Sequence, residues 1–323
     1  VGSEMCIRDR APSVLSGEQL CRIMDEIRQA FDLSEDAEIT MEANPGTVSL
    51  EQMKLCRKAG INRISLGLQS TVQQELDMLG RIHTYEEFLQ SYCRAREAGF
   101  DNINVDLMFA IPGQTCESWK HNLETVAELS PEHISAYSLI IEEGTPFARK
   151  KLILPTEDEE YQMYEDTAEI LRKYGFHQYE ISNYARDGFE CRHNKGYWQR
   201  TEYLGAGLGA ASLFQGRRFS NTSDMKVYLS DSTDPEKIRE DVTTLSGSNE
   251  MEEFMFLGLR MTEGISEKQF ERNFGCRIED IYGSVLTKYK DMDLLEHAGE
   301  FWRFTRKGIH VSNPVLADFL LDE

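Results

Sequence analysis

The sequence predicts an α/β fold: a parallel sheet closed into a barrel or partial barrel, followed by a winged-helix-like C-terminal domain. Three observations predict it. Between residues 36 and 185, apolar β-rich runs alternate with helical stretches that carry their own start and stop residues. The polar residues of those runs gather near the strands' carboxyl ends, where a barrel places its site. Residues 246–323 read as two helical patterns, a further helix end, a short β-wing and a final helix.

Taken in order, the strand candidates are AEITMEANP (37–45), NRISLGLQS (62–70), NINVDLMFAIPG (102–113), HISAYSLIIE (133–142) and HQYEISNY (177–184). Ser49 opens a helix that Gly60 ends, and Thr84 with Glu87 forms a capping box before a helix stopping at Gly99. Thr115 opens another, and Thr156 with Glu159 opens a long one that closes at Gly175. The first ten residues, VGSEMCIRDR, resemble neither a transit peptide nor the start of a strand. They read as a sequencing or assembly artefact, so the expected organisation is 1–11 non-native, 12–185 partial barrel, 186–245 a Gly-rich and aromatic connecting segment, and 246–323 the winged-helix-like domain.

Composition narrows the function classes. With 56 acidic against 35 basic residues the formal charge is −21, which argues against nucleic acid as the main partner. Residues 241–323 carry 16 acidic and 9 basic side chains, so the winged-helix-like domain is read as a structural or partner-binding lid. No apolar run approaches the roughly 20 residues of a membrane span. No secretory leader opens the chain, and the cytoplasm is the expected location. The seven cysteines, Cys6, Cys21, Cys56, Cys93, Cys116, Cys191 and Cys276, are scattered and never spaced C-x2-C, as reduced core thiols would be.

Glu42 and Asn44 end the first run and Gln69 and Ser70 the second, while Asp106 lies within the third and Tyr137 within the fourth. Each alone is as readily a capping or turn residue as a functional one. Together they favour one lined mouth.

Five strings in register, EANPGT (42–47), GINRISLGLQS (60–70), LGRIHT (79–84), NINVDLMFAIPGQT (102–115) and HISAYSLIIEEGTPF (133–147), resemble the HemN/HemW branch of radical S-adenosylmethionine (radical SAM) proteins. The resemblance covers nearly the whole chain from residue 12. It implies a partial (β/α)6 TIM-like barrel of which the strands above are the third to sixth, the first strands being missing. It also implies a [4Fe–4S] cluster on a C-x3-C-x2-C motif and S-adenosylmethionine in the full-length protein; that motif is absent here. Glu42, Gln69, Arg81 and Asp106 match the family's S-adenosylmethionine contacts, with Asp106 near the nucleoside. Loss of two strands would leave the third as an unpaired sheet edge, so poor solubility or dimerisation is expected.

Within that branch the resemblance leaves two functions open. One is a haem chaperone that binds haem and transfers it to an acceptor protein, whose identity the sequence does not give. The other is an oxygen-independent coproporphyrinogen III oxidase, which decarboxylates propionate side chains by radical chemistry. CRHNKGYW (191–198) favours the chaperone, because HNxxYW resembles the haem-binding signature of its members. His193 is then a candidate iron ligand, with Asn194, Tyr197 and Trp198 completing the motif and the two rings offering flat apolar faces. YLGAGLGAASLF (203–214) resembles a segment that usually carries histidine where Ala211 stands. Arg218 and Asn221 match the following Arg and Asn and could meet a propionate, and Cys191 is either a second soft ligand or a buried thiol.

Overall fold

Two side-chain chemistries alternate along each strand, and this decides how the first part of the molecule is built. In the computed structural model, which describes residues 2–8, 12–145 and 147–321, the chain forms one compact unit ending at His193 and another beginning at Asn194. In the first, strands β1 (Gly2–Ile7), β2 (Leu33–Ala43), β3 (Arg63–Gln69), β4 (Ile103–Phe109) and β5 (His133–Ser138) run parallel, and β6 (His177–Gln178) and β7 (Asn183–Ala185) antiparallel. The order β1-β2-β3-β4-β5-β7-β6 makes a curled half-barrel.

Side chains that share a register row share a face. Thr40 pairs with Arg63; Glu42, Ser65, Asn104 and His133 form the next row, and Gly67, Asp106 and Ser135 the one after. That face is polar. The residues between them, such as Met41, Ile64, Leu66, Val105, Leu107 and Ile134, are apolar and buried. Against them pack α1 (Gly17–Ala30), α2 (Leu50–Lys58), α4 (Tyr85–Glu97), α5 (Cys116–Glu128) and α6 (Glu157–Lys173), through Leu20, Met53, Phe88, Trp119 and Met163 among others. Each such fully buried side chain contributes about 1.5–3 kcal/mol. The short α3 (Gln73–Met78) follows β3, and α7 (Arg192–Trp198) follows β7.

The caps read from the sequence are present: Ser49, Thr84, Thr115 and Thr156 each accept a hydrogen bond from a first-turn N–H. A further capping box, Ser16 with Gln19, starts α1. Two expectations are corrected. Residues 2–7 do form a strand, because Met5 and Ile7 supply the apolar alternation and pairing with β2 needs only backbone. They cover the edge that β2 was expected to expose. The fifth run, 177–184, folds back instead of continuing the parallel series: Tyr179 N–H donates to the Asn183 carbonyl at 3.2 Å, and the buried Glu180 carboxylate accepts from the Asn183 amide and from Ser182 N–H. Pro146, in the last of the five matched strings, lies outside the described residues.

In the second unit, β8 (Ala211–Phe214), β9 (Arg217–Asn221) and β10 (Arg239–Thr244) form an antiparallel sheet, with α8 (Met225–Asp231) and α9 (Pro235–Ile238) between the last two. Sequence periodicity missed it because its strands are short and mostly exposed. There follow α10 (Gly247–Gly258), β11 (Ile265–Ser266), α11 (Glu267–Phe274), α12 (Ile278–Asp291), the hairpin β12 (Leu295–Ala298) and β13 (Phe301–Phe304), α13 (Arg306–His310) and α14 (Ser312–Ala317). With sheet order β11-β13-β12 this is a winged-helix arrangement around Phe254, Phe270, Tyr282, Leu286 and Phe319. Gly264, at φ 82°, lets β11 approach β13: a Cβ there would lie 2.1 Å from the Trp302 carbonyl oxygen. Among the described residues, no helix is long and apolar enough to cross a membrane.

Candidate functional site

The polar face of the half-barrel carries Glu42 and Gln69 at the carboxyl ends of β2 and β3, and Asp106 midway along β4. Glu42 Oε1 lies 3.8 Å from Arg8 Nε. Gln69 is turned onto this face by a register shift after Gly67 and by its own φ of 73°. Gly67 makes the turn possible, since a Cβ there would come within 3.1 Å of Gln69 Nε2.

Asp106 is the electrostatic centre. It accepts from Ser65 Oγ at 3.0 Å and from Asn104 Nδ2 at 2.8 Å. Burial nevertheless pushes its carboxyl above the usual range, against those bonds and the charge of Arg63. Arg81 joins it from the α3–α4 connection: burial lowers the guanidinium, and the nearby Asp106 opposes that. The Tyr137 hydroxyl is pushed up to about 12 by burial and by the Asp106 charge.

Ser70 is the exception among the expected mouth residues. It is fully buried, donates to Glu75 Oε2 at 2.6 Å and lies 3.1 Å from Asn122 Oδ1, tying β3 to α3 and α5. Glu75 also accepts from Gln114, Asn122 and Ser118, so this cluster is structural.

The HNKGYW run forms α7. Before it, Cys191 is a buried thiol whose Sγ lies 3.5 Å from Glu38 Oε1, and the same oxygen accepts from Arg192 N–H at 3.0 Å. His193 Nδ1 is 2.8 Å from Glu4 Oε2. Asn194 is half-buried; Tyr197, also half-buried, packs edge-on against Tyr203 at 4.7 Å, and Arg260 lies 5.7 Å from the Trp198 ring.

Arg218 and Asn221 do not present themselves to a propionate. Arg218 Nε is 2.6 Å from Glu253 Oε1, and Glu253 also holds Arg200 Nε at 3.0 Å. Asn221 donates to the carbonyls of Gly205 and Gly207, fixing the Gly-rich turn. Ala211 pairs with Ser220 across β8 and β9.

Sequence reasoning missed the deeper members of the polar face: Glu38, Thr40, Arg63, Asn104, His133 and Tyr179. Their signal was the period-two spacing of polar residues inside strands that otherwise read as apolar, as in Asn104 and Asp106 or His133, Ser135 and Tyr137.

Residues 11–126 match the Radical SAM superfamily and residues 245–311 the HemN C-terminal domain. Over 316 residues the chain is 40% identical to the heme chaperone HemW of Lactococcus lactis, covering 97% of this chain and 83% of that protein. The heme chaperone HemW of Escherichia coli is 33% identical over 316 residues, 96% of this chain and 82% of its own length. The chain belongs to the HemW family. Coproporphyrinogen III oxidase (HemN) from Escherichia coli aligns with a TM-score of 0.85 over 98% of this chain and 77% of that one, at 22% identity; the likeness shows that the two chains share a fold.

The radical SAM match implies an iron–sulfur cluster and S-adenosylmethionine. The residues present do not fit the cluster. No C-x3-C-x2-C spacing occurs in the sequence, and among the described residues no group of three His, Cys, Asp or Glu side chains could hold a metal. Arg81 lies close to Asp106, and Glu42 stands on the same polar sheet face.

Proposed function

We propose that this chain is a cytoplasmic haem chaperone, which binds haem through the HNKGYW helix and passes it to an acceptor protein, with S-adenosylmethionine held at the barrel mouth in the full-length protein. The observation that carries the reading is the His193–Trp198 run, built on one helix, in a chain 40% identical to a relative named heme chaperone over 97% of its length. Haem bound there would supply an iron centre and a flat apolar ring. The Glu4 carboxylate beside His193 Nδ1 favours a proton on that nitrogen, which puts the lone pair on Nε2, the nitrogen suited to iron. Tyr197 and Trp198 supply aromatic faces. At the mouth, Asp106 is suited to accept from ribose hydroxyls and Arg81 to pair with a carboxylate.

The test is haem titration of the full-length protein, cluster motif included, followed by absorbance. Saturable one-site binding supports the chaperone. Absence of specific binding, together with decarboxylation of coproporphyrinogen III when S-adenosylmethionine and a reductant are supplied, would return the oxidase instead.

A further inference from the structure

The polar face contains a hydrogen-bond chain that the proposed binding roles do not use. Asn104 Nδ2 donates to Asp106 Oδ1 and to Ser65 Oγ, both at 2.8 Å, which makes Asn104 Oδ1 the acceptor facing His133 Nδ1 at 2.6 Å. His133 is completely buried and held well below the usual imidazole range by that burial and by the Arg63 charge, so it is neutral. A neutral ring that donates from Nδ1 accepts at Nε2. Tyr179, 2.8 Å away, therefore donates its hydroxyl proton to Nε2, and the Tyr179 oxygen in turn accepts from the Cys191 N–H at 3.3 Å.

Every bond in the series points the same way, from the Cys191 amide to the Asp106 carboxylate. Cys191 begins the segment that runs into α7, and Glu38 holds the next amide. We infer that Tyr179, His133 and Asn104 are positioning residues: they form a one-way relay through which the state of the Asp106 carboxylate sets how firmly the start of the His193 helix is held. A donor arriving at Asp106 competes with Asn104 and Ser65 for its oxygens, and bonds in series polarise one another. The consequence for haem rests on the chaperone reading; the relay itself does not.

Amide hydrogen exchange at Cys191, measured on the full chain without ligand, tests the relay. Tyr179→Phe should accelerate exchange about fivefold, the worth of one neutral hydrogen bond. Asp106→Asn, at the far end, should also accelerate it, and the double variant should be no faster than Tyr179→Phe alone. Tyr164→Phe removes a nearby hydroxyl that donates to the Ile181 carbonyl and accepts from the Gln178 amide, both outside the relay, and should leave Cys191 unchanged. Unaltered Cys191 exchange in Asp106→Asn, multiplicative effects in the double variant, or acceleration by Tyr164→Phe would overturn the relay. Haem titration of Asp106→Asn supplies the second readout, expected to show weaker binding. If the unsubstituted chain binds no haem, the chaperone reading fails while exchange still decides the relay. If haem binds and Asp106→Asn leaves Cys191 exchange as it was, the relay fails and the chaperone reading stands.

Discussion

The two units are both well packed, but their interiors are made of different material. The winged-helix core is aromatic and aliphatic, with Glu253, Ser266 and Ser312 as the buried polar residues described there. The half-barrel buries one apolar sheet face under helices and keeps on the other Glu38, Thr40, Arg63, Ser65, Asn104, His133, Ser135 and Asn183. Burying polar groups costs stability unless each finds a partner. A fold needing only a core would not collect them. The difference is that the half-barrel keeps a buried polar sheet face, while the winged-helix core is almost wholly apolar.

Four changes break or sharpen that contrast, the largest first. Phe270→Ala empties a completely buried site in the winged-helix core and should cost about 3–5 kcal/mol there. Amide protection at Tyr282 and Leu286 should fall while Ile64 and Val105 keep theirs; equal loss in both units would erase the distinction. Gly264→Ala sets a Cβ against the Trp302 carbonyl at a positive φ and should cost about 1–3 kcal/mol in the same unit, read by denaturant unfolding.

His133→Asn addresses the polar face through its pH dependence. The folded ring is held below the 6.5 of an ordinary imidazole, so below that pH the unfolded chain binds a proton that the folded one refuses. The contribution of this group is fully present above pH 6.5 and is lost as pH falls from there toward the folded value. The slope amounts to about 1.4 kcal/mol per pH unit for one proton, and it should flatten in the variant between about pH 6 and 5. An identical slope would place the titration elsewhere. Lys173→Ala removes an exposed ion pair with Glu169 and should change stability by less than about 0.5 kcal/mol in thermal melts, the baseline for the other three.

The fold was legible where local chemistry decides it. Ser49, Thr84 with Glu87, Thr115 and Thr156 with Glu159 mark helix starts because a side-chain oxygen and a first-turn N–H lie within three residues of each other. The strand runs showed the parallel sheet, and Glu42 and Gln69 could be placed at the ends of its strands, with Asp106 inside the next one. What escaped needed partners distant in sequence. Arg218 looked available for a propionate until Glu253, 35 residues on, was found holding it. Ser70 follows Gln69 directly, yet turns away to Glu75 and Asn122. The tautomer of His133 depends on Asn104 and Tyr179, one on each side of it in sequence and both far from it.

The central claim is that the HNKGYW helix binds haem, and the most direct measurement is haem affinity of the chain against that of His193→Ala, by absorbance titration. The account predicts one saturable site in the unsubstituted chain, weakened about tenfold or more, ~1.4 kcal/mol, by the substitution. Equal affinity and an unchanged haem spectrum in His193→Ala would contradict it.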